Sequence, residues 1–403
     1  MPISIDEAII LIRNNIKPLA PVRLPLFEAL GLISSEEITA LMDQPPFPRS
    51  PYDGYALRAG DSVGAALENP VALKVIGRSF AGIPADVTVN RGEAVRIMTG
   101  GVIPNGADCV IPQEHTDEGE TLVRIYEELR PFDNYCRQGE DFLRGCLLSP
   151  QGIPVTAAVY SVAASAGFAE LSVFPKPRVS VISTGDELQT IGRPLGKGQI
   201  YSSNDAYLTG RLAELRIPVA ESENVCDDLT LLTRAFEKAN LSSDIIISTG
   251  GVSVGQRDLI PATLEKLGAK VIFRGVGMKP GMPVVFAVLN GKPILSLSGN
   301  PFASAVTFEL LVRPALAVLG SDKRIEARIV KAALEEDFPL KCPVTRFRRG
   351  TLENGSISFP GMQGNGQLRT MIGCNALAAI PQNGEALPAG TIVDVYLMDS
   401  EIY

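Results

Sequence analysis

The sequence has a single histidine, His115, among 403 residues, and this scarcity excludes several kinds of site. A metal centre built from several histidines cannot form within the chain. A Ser-His-Asp triad would depend entirely on His115. That residue follows a predicted strand in the stretch IPQEHTDEG, and we expect it to lie in a loop. The chemistry of the protein is therefore predicted to use other residue types.

Cysteine pairs, long apolar runs and a basic charge balance are also missing. The six cysteines include no C-x-x-C pair, which argues against a zinc knuckle or a disulfide framework and predicts reduced thiols. No apolar run is long enough to cross a membrane, and the N-terminus MPISIDEAII lacks the pattern of a signal peptide. The net charge of -8 argues against a general nucleic-acid binder. We therefore expect a cytoplasmic protein that binds neither membranes nor nucleic acid.

The pattern of apolar residues changes several times along the chain and predicts a multidomain protein that combines α/β and β domains. Short apolar runs separated by Gly, Pro and Asn are typical of a β unit, whereas continuous apolar strands between amphipathic helices indicate a doubly wound, mostly parallel sheet covered on both faces. The predicted domains are an elongated helical and linker domain over 1–43 plus 143–177, an inserted β domain over 44–142, the α/β domain over 178–323, and a small C-terminal β domain over 324–403.

The first helix has a recognisable start. Residues 3–14 have helical spacing, and Ser4 with Glu7 predicts a capping box, in which each residue's side chain accepts a hydrogen bond from the other's backbone N–H.

Three predicted strands of the α/β domain end in similar loops: VSVISTGDEL (179–188), IIISTGGVSVGQRD (245–258) and ILSLSGNP (294–301). Ligands of open α/β sheets bind outside the carboxyl ends of the strands. Glycine permits close approach to the backbone, and the first N–H groups of a following helix can bind an anion. One such loop can be merely a tight turn, but three in one sheet favour a phosphate or oxyanion site. Neither G-K-[ST] nor G-x-G-x-x-G is present, so no nucleotide fingerprint is claimed.

The candidate ligand-binding residues in these loops share small or polar side chains. They are Ser183, Thr184, Gly185, Ser248, Thr249, Gly250, Gly251, Ser253, Gly255, Ser298, Gly299, Asn300 and Pro301.

Cations and carboxylates complete the candidate site. Arg274 and Lys279, in FRGVGMKPGMP, could bind phosphate, although they are equally compatible with ordinary surface cations. Acidic residues recur at loop positions, and each taken alone could be a helix cap or a solvated charge; they are Asp53, Glu140, Asp141, Asp186, Glu187, Asp227, Asp228 and Asp258. Hard oxygen ligands without His or Cys suit Mg²⁺, which normally accompanies a phosphate. The residues therefore predict a phosphate-handling, Mg²⁺-assisted enzyme with an unspecified substrate.

A series of motifs runs through the whole chain in order: SPYDGYALRAGD, RIMTGGVIPNGADCVIPQE, RQGED, VISTGDEL, SNDAYL, IISTGGVSVGQRD, KPGMPVVF and SGNPFAS. In these motifs the chain resembles the molybdopterin molybdenumtransferase family, the molybdenum-insertion enzymes that include the bacterial MoeA proteins and the gephyrin E domain. The resemblance implies an elongated homodimer whose active site lies between the α/β domain of one subunit and the inserted β domain of the other.

The resemblance also implies a reaction and a set of site residues. Adenylylated molybdopterin is bound, molybdate is inserted at the dithiolene, and AMP leaves with Mg²⁺ assistance. Other molybdenum-cofactor biosynthesis proteins and acceptor proteins are expected partners. By motif, the implied catalytic residues are Asp53, Asp141, Glu187, Arg274 and Lys279, the implied metal ligands are Glu187, Asp228 and Asp258, and Thr99 and Pro301 are implied to contact the ligand. Which residues hold the molybdate oxyanion stays open.

Some positions depart from the family pattern. Tyr52 stands where Met usually precedes the Asp of the DGYA loop, Met282 stands where Lys often follows KPG, and Ser298 replaces a proline before GNP. Arg274 replaces a lysine and keeps the charge. These departures make a tungstate-preferring paralogue an alternative. A molybdopterin adenylyltransferase, whose fold the family's middle domain resembles, and a non-catalytic molybdopterin-binding scaffold are two further alternatives. The domains outside the α/β domain argue against the adenylyltransferase, and the acids and Lys279 argue against the scaffold.

Overall fold

The structure is a computed structural model that describes residues 2–252, 258–339, 341–382 and 385–398. The chain forms two compact units. The first unit comprises Met1–Arg23, Gly31–Ser35 and Ser172–Tyr403, and the second comprises Leu24–Leu30 and Glu36–Leu171.

The helices of the described residues are α1 (Ile5–Asn15), α2 (Ala157–Ser165), α3 (Ser203–Glu214), α4 (Leu229–Ser242), α5 (Ile260–Lys266), α6 (Pro301–Thr307) and α7 (Arg313–Leu319), with a π-helical turn at Phe308–Val312 and 3-10 turns at Ala59–Asp61, Gln113–His115, Lys323–Ile325 and Arg369–Met371. The strands are β1 (Val22–Pro25), β2 (Ile33–Ser34), β3 (Ile38–Thr39), β4 (Gly54–Leu57), β5 (Val71–Ser79), β6 (Glu93–Ile97), β7 (Cys109–Pro112), β8 (Leu122–Ile125), β9 (Leu147–Ser149), β10 (Glu170–Phe174), β11 (Val179–Thr184), β12 (Leu188–Gln189), β13 (Ile200–Tyr201), β14 (Val219–Val225), β15 (Ile245–Thr249), β16 (Lys270–Arg274), β17 (Met278–Lys279), β18 (Val285–Leu289), β19 (Lys292–Leu297), β20 (Ile329–Leu334), β21 (Thr345–Glu353), β22 (Ser356–Ser358), β23 (Ala376–Ile380) and β24 (Ile392–Leu397).

Helix α1 begins as the sequence predicts. Ser4 Oγ accepts a hydrogen bond from the Glu7 backbone N–H at 3.1 Å, and Glu7 Oε2 accepts one from the Ser4 backbone N–H at 2.8 Å. The capping box is therefore confirmed. Ala8 and Ile12, four residues apart on one face of the helix, are buried in the core of the first unit.

The first unit is built on a six-stranded sheet in the order β14-β11-β15-β19-β18-β16. Neighbours from β14 to β19 are parallel, and β18 is antiparallel to both β19 and β16. Strands β11 and β15 are buried along their whole length, which explains their continuous apolar sequences.

Alternating side chains of these strands point to opposite faces of the sheet and enter two separate cores. Val181 belongs to one core with residues of α3, α6 and α7, whereas its neighbour Ile182 belongs to another with residues of α4 and α5. This alternation follows from the two-residue repeat of a β-strand. Helices therefore cover both faces of the mostly parallel sheet, as predicted for a doubly wound domain.

The C-terminal strands of the first unit form a small closed sheet. The order β21-β22-β20-β24-β23 is completed by direct pairing of β21 with β23, so these strands form a ring. Ile357, Ala378 and Val395 are fully buried inside it. The short strand β17 adds to β21 in parallel. This agrees with the small C-terminal β domain of the sequence prediction.

The second unit contains a five-stranded sheet in the order β7-β4-β6-β5-β8. Its core includes Tyr55, Leu73, Ile111 and Val123, all nearly or fully buried. The β pattern of the inserted segment is thus confirmed. Helix α2, which Thr156 caps, lies within the segment 143–177 that was predicted to be helical and linker. The division into four domains at the stated bounds stays a prediction.

The longest apolar helical span, Pro301–Leu319, is long and apolar enough to cross a membrane, judged on the described residues. In the structure, however, 94% of its most apolar window is buried inside the protein. It has the surroundings of a core helix.

A buried ion triad lies within the first unit. The Glu309 carboxylate, 1% exposed, accepts from Arg211 Nε at 2.8 Å and from Arg313 Nη1 at 2.7 Å. Arg211 Nη2 also donates to the Met398 carbonyl at 2.5 Å, and Arg313 Nε donates to the Ile325 carbonyl at 2.5 Å. The triad therefore connects α3, the helical span and the end of β24. Each charge has a partner, which a buried charge requires.

We predict that Glu309→Ala strongly destabilises the first unit, because it leaves two buried guanidinium groups without their carboxylate. The free energy of unfolding should fall by about 3–5 kcal/mol, as measured by urea denaturation. The control is Glu214→Ala, which removes a 63% exposed partner of the same Arg211. That control should cost less than about 1 kcal/mol, and equal losses for the two variants would contradict the prediction.

Candidate functional site

A cavity of about 500 Å³ lies at the carboxyl ends of β11, β15 and β19. After β11 the chain forms β14 on one side of β11, and it then crosses over to form β15 on the other side. The strand order therefore reverses between β11 and β15, where ligands of such sheets bind. All three loops of the sequence prediction reach this cavity. The predicted residues that line it are Ser183, Thr184, Gly185, Glu187, Thr249, Gly250, Gly251, Asp258, Ser298, Gly299, Asn300 and Pro301.

Packing of the loops against one another explains one of the loop glycines, Gly250, and a second, Gly299, lies in contact with it. A Cβ atom built at Gly250, whose φ is 97°, would lie 2.4 Å from the Thr184 carbonyl oxygen. A Cβ atom built at Gly299 would lie 3.4 Å from the Gly250 Cα. The sequence analysis attributed these glycines to close approach of a ligand. The structure adds a different reason, because the three loops approach each other's backbones.

A second wall of the cavity comes from β12, β13, the first turn of α3 and nearby turns. Asp227, one of the candidate acids, also lines the cavity, together with residues that the sequence did not indicate: Leu188, Ile200, Tyr201, Ser202, Ser203, Asn204, Val252 and Pro283. The SNDAYL motif contains Asn204, but small polar residues at a helix start are too common to indicate a site without the fold.

Among the described residues, three polar atoms of the cavity wall are buried without a hydrogen-bond partner. They are Ser183 Oγ, Ser202 Oγ and Asn204 Oδ1. Leaving a buried polar atom unsatisfied costs about 1–3 kcal/mol. A bound ligand or ordered water can supply the missing partners, so these atoms mark this cavity as a binding site.

The predicted metal ligands have different surroundings. Glu187 and Asp258 line the cavity, whereas Asp228 caps α4, its Oδ1 accepting from Thr230 N at 2.8 Å and Leu231 N at 2.9 Å. Its neighbour Asp227 lines the cavity instead and accepts from Thr184 Oγ1 at 2.6 Å. In the described ranges no group of three or more His, Cys, Asp or Glu residues is arranged to hold a metal.

The acids of the cavity nevertheless supply the type of ligand that Mg²⁺ uses. This ion commonly uses one or two carboxylates together with water and substrate phosphate, rather than a complete protein cage. Glu187 and Asp258 supply oxygen ligands of that type beside the glycine loops. Their role as metal ligands, and that of Asp228, stays a prediction.

Several other predicted residues lie away from the cavity lining. Arg274, at the end of β16, and Lys279, on β17, are exposed, and Lys279 is paired in register with Arg346 of β21. Ser248 is buried within the sheet, where its hydroxyl donates to Ser296 Oγ at 2.8 Å. Ser253 and Gly255 lie outside the described residues.

Arg349 is a candidate site residue that the sequence analysis missed. Its side chain is fully buried, and its guanidinium carbon lies 4.2 Å from the centre of the Phe302 ring, next to the cavity residue Pro301. Nε donates to Thr370 Oγ1 at 2.8 Å, while Nη1 is buried without a partner. Burial lowers the pKa of Arg349, but a guanidinium remains charged at neutral pH. In the sequence it stands in the run RFRRG, which indicates only a strand.

The predicted residues of the second unit include one well-defined pair. Asp53 Oδ1 accepts from both the backbone N–H and the hydroxyl of Thr99, each at 2.7 Å. These bonds, chiefly the backbone one, lower the pKa of the Asp53 carboxyl. Asp141 is exposed, and its backbone N–H donates to the Gln44 carbonyl at 2.9 Å. The functional roles of all three stay predictions.

Comparison with known proteins covers nearly the whole chain. Residues 3–167 match the model "MoeA N-terminal region (domain I and II)", residues 180–318 match "Probable molybdopterin binding domain", and residues 331–398 match "MoeA C-terminal region (domain IV)". A molybdopterin molybdenumtransferase from Staphylococcus epidermidis is 36% identical over 406 residues, spanning 100% of this chain and 97% of that protein. The chain belongs to the molybdopterin molybdenumtransferase family.

Further relatives support the assignment of the chain to this MoeA family. A molybdopterin molybdenumtransferase from Staphylococcus aureus is 35% identical over 99% of this chain and 96% of that protein. A solved MoeA protein from Pyrococcus horikoshii superimposes with a TM-score of 0.86 at 30% identity, covering 99% of this chain and 100% of the other. The family resemblance and the multidomain fold class are therefore confirmed. All lining residues of the cavity fall within the part matched by the molybdopterin-binding model.

We predict that Gly250→Ala disrupts the packing of the cavity loops. The added methyl group would contact the Thr184 carbonyl, and the positive φ is unfavourable for alanine. The free energy of unfolding should fall by about 2–4 kcal/mol in urea denaturation. The control is Gly210→Ala in α3, where a Cβ atom meets nothing within 4 Å. It should stabilise by about 0.5–1 kcal/mol; a Gly250→Ala protein as stable as wild type would refute the packing explanation.

We predict a pH-dependent contribution of Asp53 to stability. Because its folded pKa lies below its unfolded value of about 3.9, the ionised carboxylate stabilises the fold above that pH, and the contribution is lost as the pH falls through the folded pKa. Asp53→Asn keeps an oxygen acceptor but cannot titrate. The difference in unfolding free energy between wild type and this variant should therefore shrink from about pH 7 to about pH 3. A pH-independent difference would be inconsistent with the lowered pKa.

Proposed function

We propose that this protein inserts molybdate into adenylylated molybdopterin and releases AMP with the assistance of Mg²⁺. The observation that carries the proposal is the cavity at the reversal point of the sheet, whose wall holds three buried polar atoms without partners inside the molybdopterin-binding region. Full-length similarity to proteins named molybdopterin molybdenumtransferase supports the same reaction.

The reaction breaks the phosphoanhydride between the pterin phosphate and AMP. Water adds to phosphorus, the anhydride bond breaks, and the leaving phosphate gains negative charge. When bound, Mg²⁺ would supply positive charge at these oxygens, held by Glu187 and Asp258. In this proposal the anionic parts of the substrate lie against the glycine loops. Asp227 accepts a hydrogen bond from Thr184 and so fixes the end of β11 against the cavity.

Cationic side chains complete the proposal for the oxyanions. Nη1 of Arg349 is buried next to Phe302 and has no partner among the described residues, so it can donate a charge-assisted hydrogen bond to an oxyanion. Lys279 belongs to the strand that joins the closed C-terminal sheet, and Arg274 ends β16. We propose these three as the cations that neutralise phosphate and molybdate.

The quaternary and cellular setting is part of the same proposal. We propose a cytoplasmic homodimer in which Asp53, Thr99 and Asp141 of one subunit act at the cavity of the other, as the family resemblance implies. Proteins that supply molybdopterin and enzymes that accept the finished cofactor are its proposed partners.

The decisive assay follows AMP release when the protein is incubated with adenylylated molybdopterin, Mg²⁺ and either molybdate or tungstate. We expect molybdate-dependent release, and stronger release with tungstate would identify the tungstate-preferring alternative. Glu187→Gln should lower the rate about a hundredfold. The control Glu237→Gln changes an exposed acid on α4 and should retain the wild-type rate. Absence of AMP release with either oxyanion would leave the scaffold alternative.

A further inference from the structure

One stretch of the cavity wall is made by β13 and the start of α3 rather than by the glycine loops. It carries Tyr201, the one aromatic residue that lines the cavity in the described part of the chain, and Asn204. The family models and the motifs of the sequence assign no role to either side chain. Their surroundings indicate which part of a ligand they bind.

The orientation of the Asn204 amide is determined by its partners. Nδ2 donates to the Gly299 carbonyl at 2.9 Å and to Thr249 Oγ1 at 2.8 Å. A carbonyl oxygen can only accept, so the NH₂ group must face Gly299 and the amide cannot be flipped. Its Oδ1 is buried and has no hydrogen-bond partner in the described part of the chain. Because Asn204 lines the cavity, a donor group of a bound ligand can supply that partner.

This acceptor distinguishes between the chemical groups of a ligand. Ionised phosphate and molybdate oxygens are themselves acceptors, so they cannot satisfy Asn204 Oδ1. A ring N–H, an exocyclic amino group or a hydroxyl can donate to it. The anionic groups of the ligand are thus expected at other parts of the wall, and a neutral donor group is expected here.

Tyr201 is held beside this acceptor. Its hydroxyl donates to the Arg193 carbonyl at 2.7 Å, and its backbone is in register with Gln189 in the pairing of β12 with β13. The side chain is nevertheless 40% exposed. A tyrosine with a tethered hydroxyl and an accessible ring is suited to stack on a planar heterocycle.

We propose that Tyr201 and Asn204 form a subsite for a planar nitrogen heterocycle that carries an N–H donor at its edge. The ring stacks on Tyr201, and the donor binds Asn204 Oδ1. This inference rests on the proposed function, whose substrate contains two such rings, the pterin and the adenine. The subsite orients the substrate so that its phosphates lie toward the glycine loops.

The test measures binding of the two ring types separately to the full-length chain. The probes are 6-hydroxymethylpterin, followed by its own fluorescence, and AMP, followed by calorimetry. The chain contains no tryptophan, so pterin emission is recorded without a tryptophan background. Tyr201→Leu should weaken binding of the ring that occupies the subsite about tenfold. Tyr201→Phe keeps the ring and should restore most of the affinity. Equal affinity of wild type and Tyr201→Leu for both probes would overturn the proposal.

The role of Asn204 is tested by removing the donor from the ligand. Purine riboside monophosphate lacks the amino group of AMP, and a 6-hydroxymethylpterin methylated at N3 and twice at its amino nitrogen lacks both N–H donors of the pterin edge. For the ring that occupies the subsite, wild type should prefer the parent compound about tenfold. Asn204→Ala should lose this preference. Because two ligands are compared on the same protein, any general weakening of the variant's loops cancels. An unchanged preference in Asn204→Ala would overturn the proposal.

The AMP-release assay separates this inference from the proposed function. Release of AMP by wild type, without the Tyr201 and Asn204 effects on binding, would refute the subsite and leave the function intact. Ring binding with both effects, but no AMP release with either oxyanion, would support the subsite and refute the function. Wild type that binds neither probe would refute the subsite.

Discussion

The close approach of three backbones at the carboxyl edge of the central sheet is the constraint on which the cavity depends. Gly250 lies against the Thr184 carbonyl, and Gly299 lies against Gly250. A side chain at Gly250 would separate these two loops. Asn204 then joins two of the loops through its bonds to Thr249 and Gly299. The shape of the cavity therefore follows from contacts within the protein, before any ligand is considered.

The same unit also depends on a buried set of charges away from the cavity. Glu309, Arg211 and Arg313 connect α3 to the helical span and to the last strand of the closed C-terminal sheet. Helix α3 begins at the cavity wall with Ser203 and Asn204, and the helical span begins there with Pro301. Two elements that present residues to the cavity at their N-terminal ends are thus connected to each other deeper in the core.

Sequence reasoning succeeded where a pattern is local. Alternating strands and helices predicted the doubly wound sheet, and the Ser/Thr-Gly endings of β11, β15 and β19 predicted residues that line one cavity. It could not distinguish Asp227 from Asp228, because only the fold shows that the second caps α4 and the first reaches Thr184. It also missed Arg349, whose partners Phe302 and Thr370 are distant in sequence. Contacts of that kind become visible only once the strands are paired.

The interlocked loops have a consequence for how this family can vary. Substitutions at residues that touch one another have non-additive effects on free energy. The end of β15 contacts the end of β11, and the loop after β19 contacts the end of β15. Thr184, Gly250 and Gly299 therefore form one unit, in which the effect of a substitution depends on the other two residues. Ser298 adjoins that unit and accepts a hydrogen bond from Thr249 through its carbonyl oxygen. Epistasis should therefore be strong here, and a change tolerated in one relative can be harmful in another with the same three glycine loops.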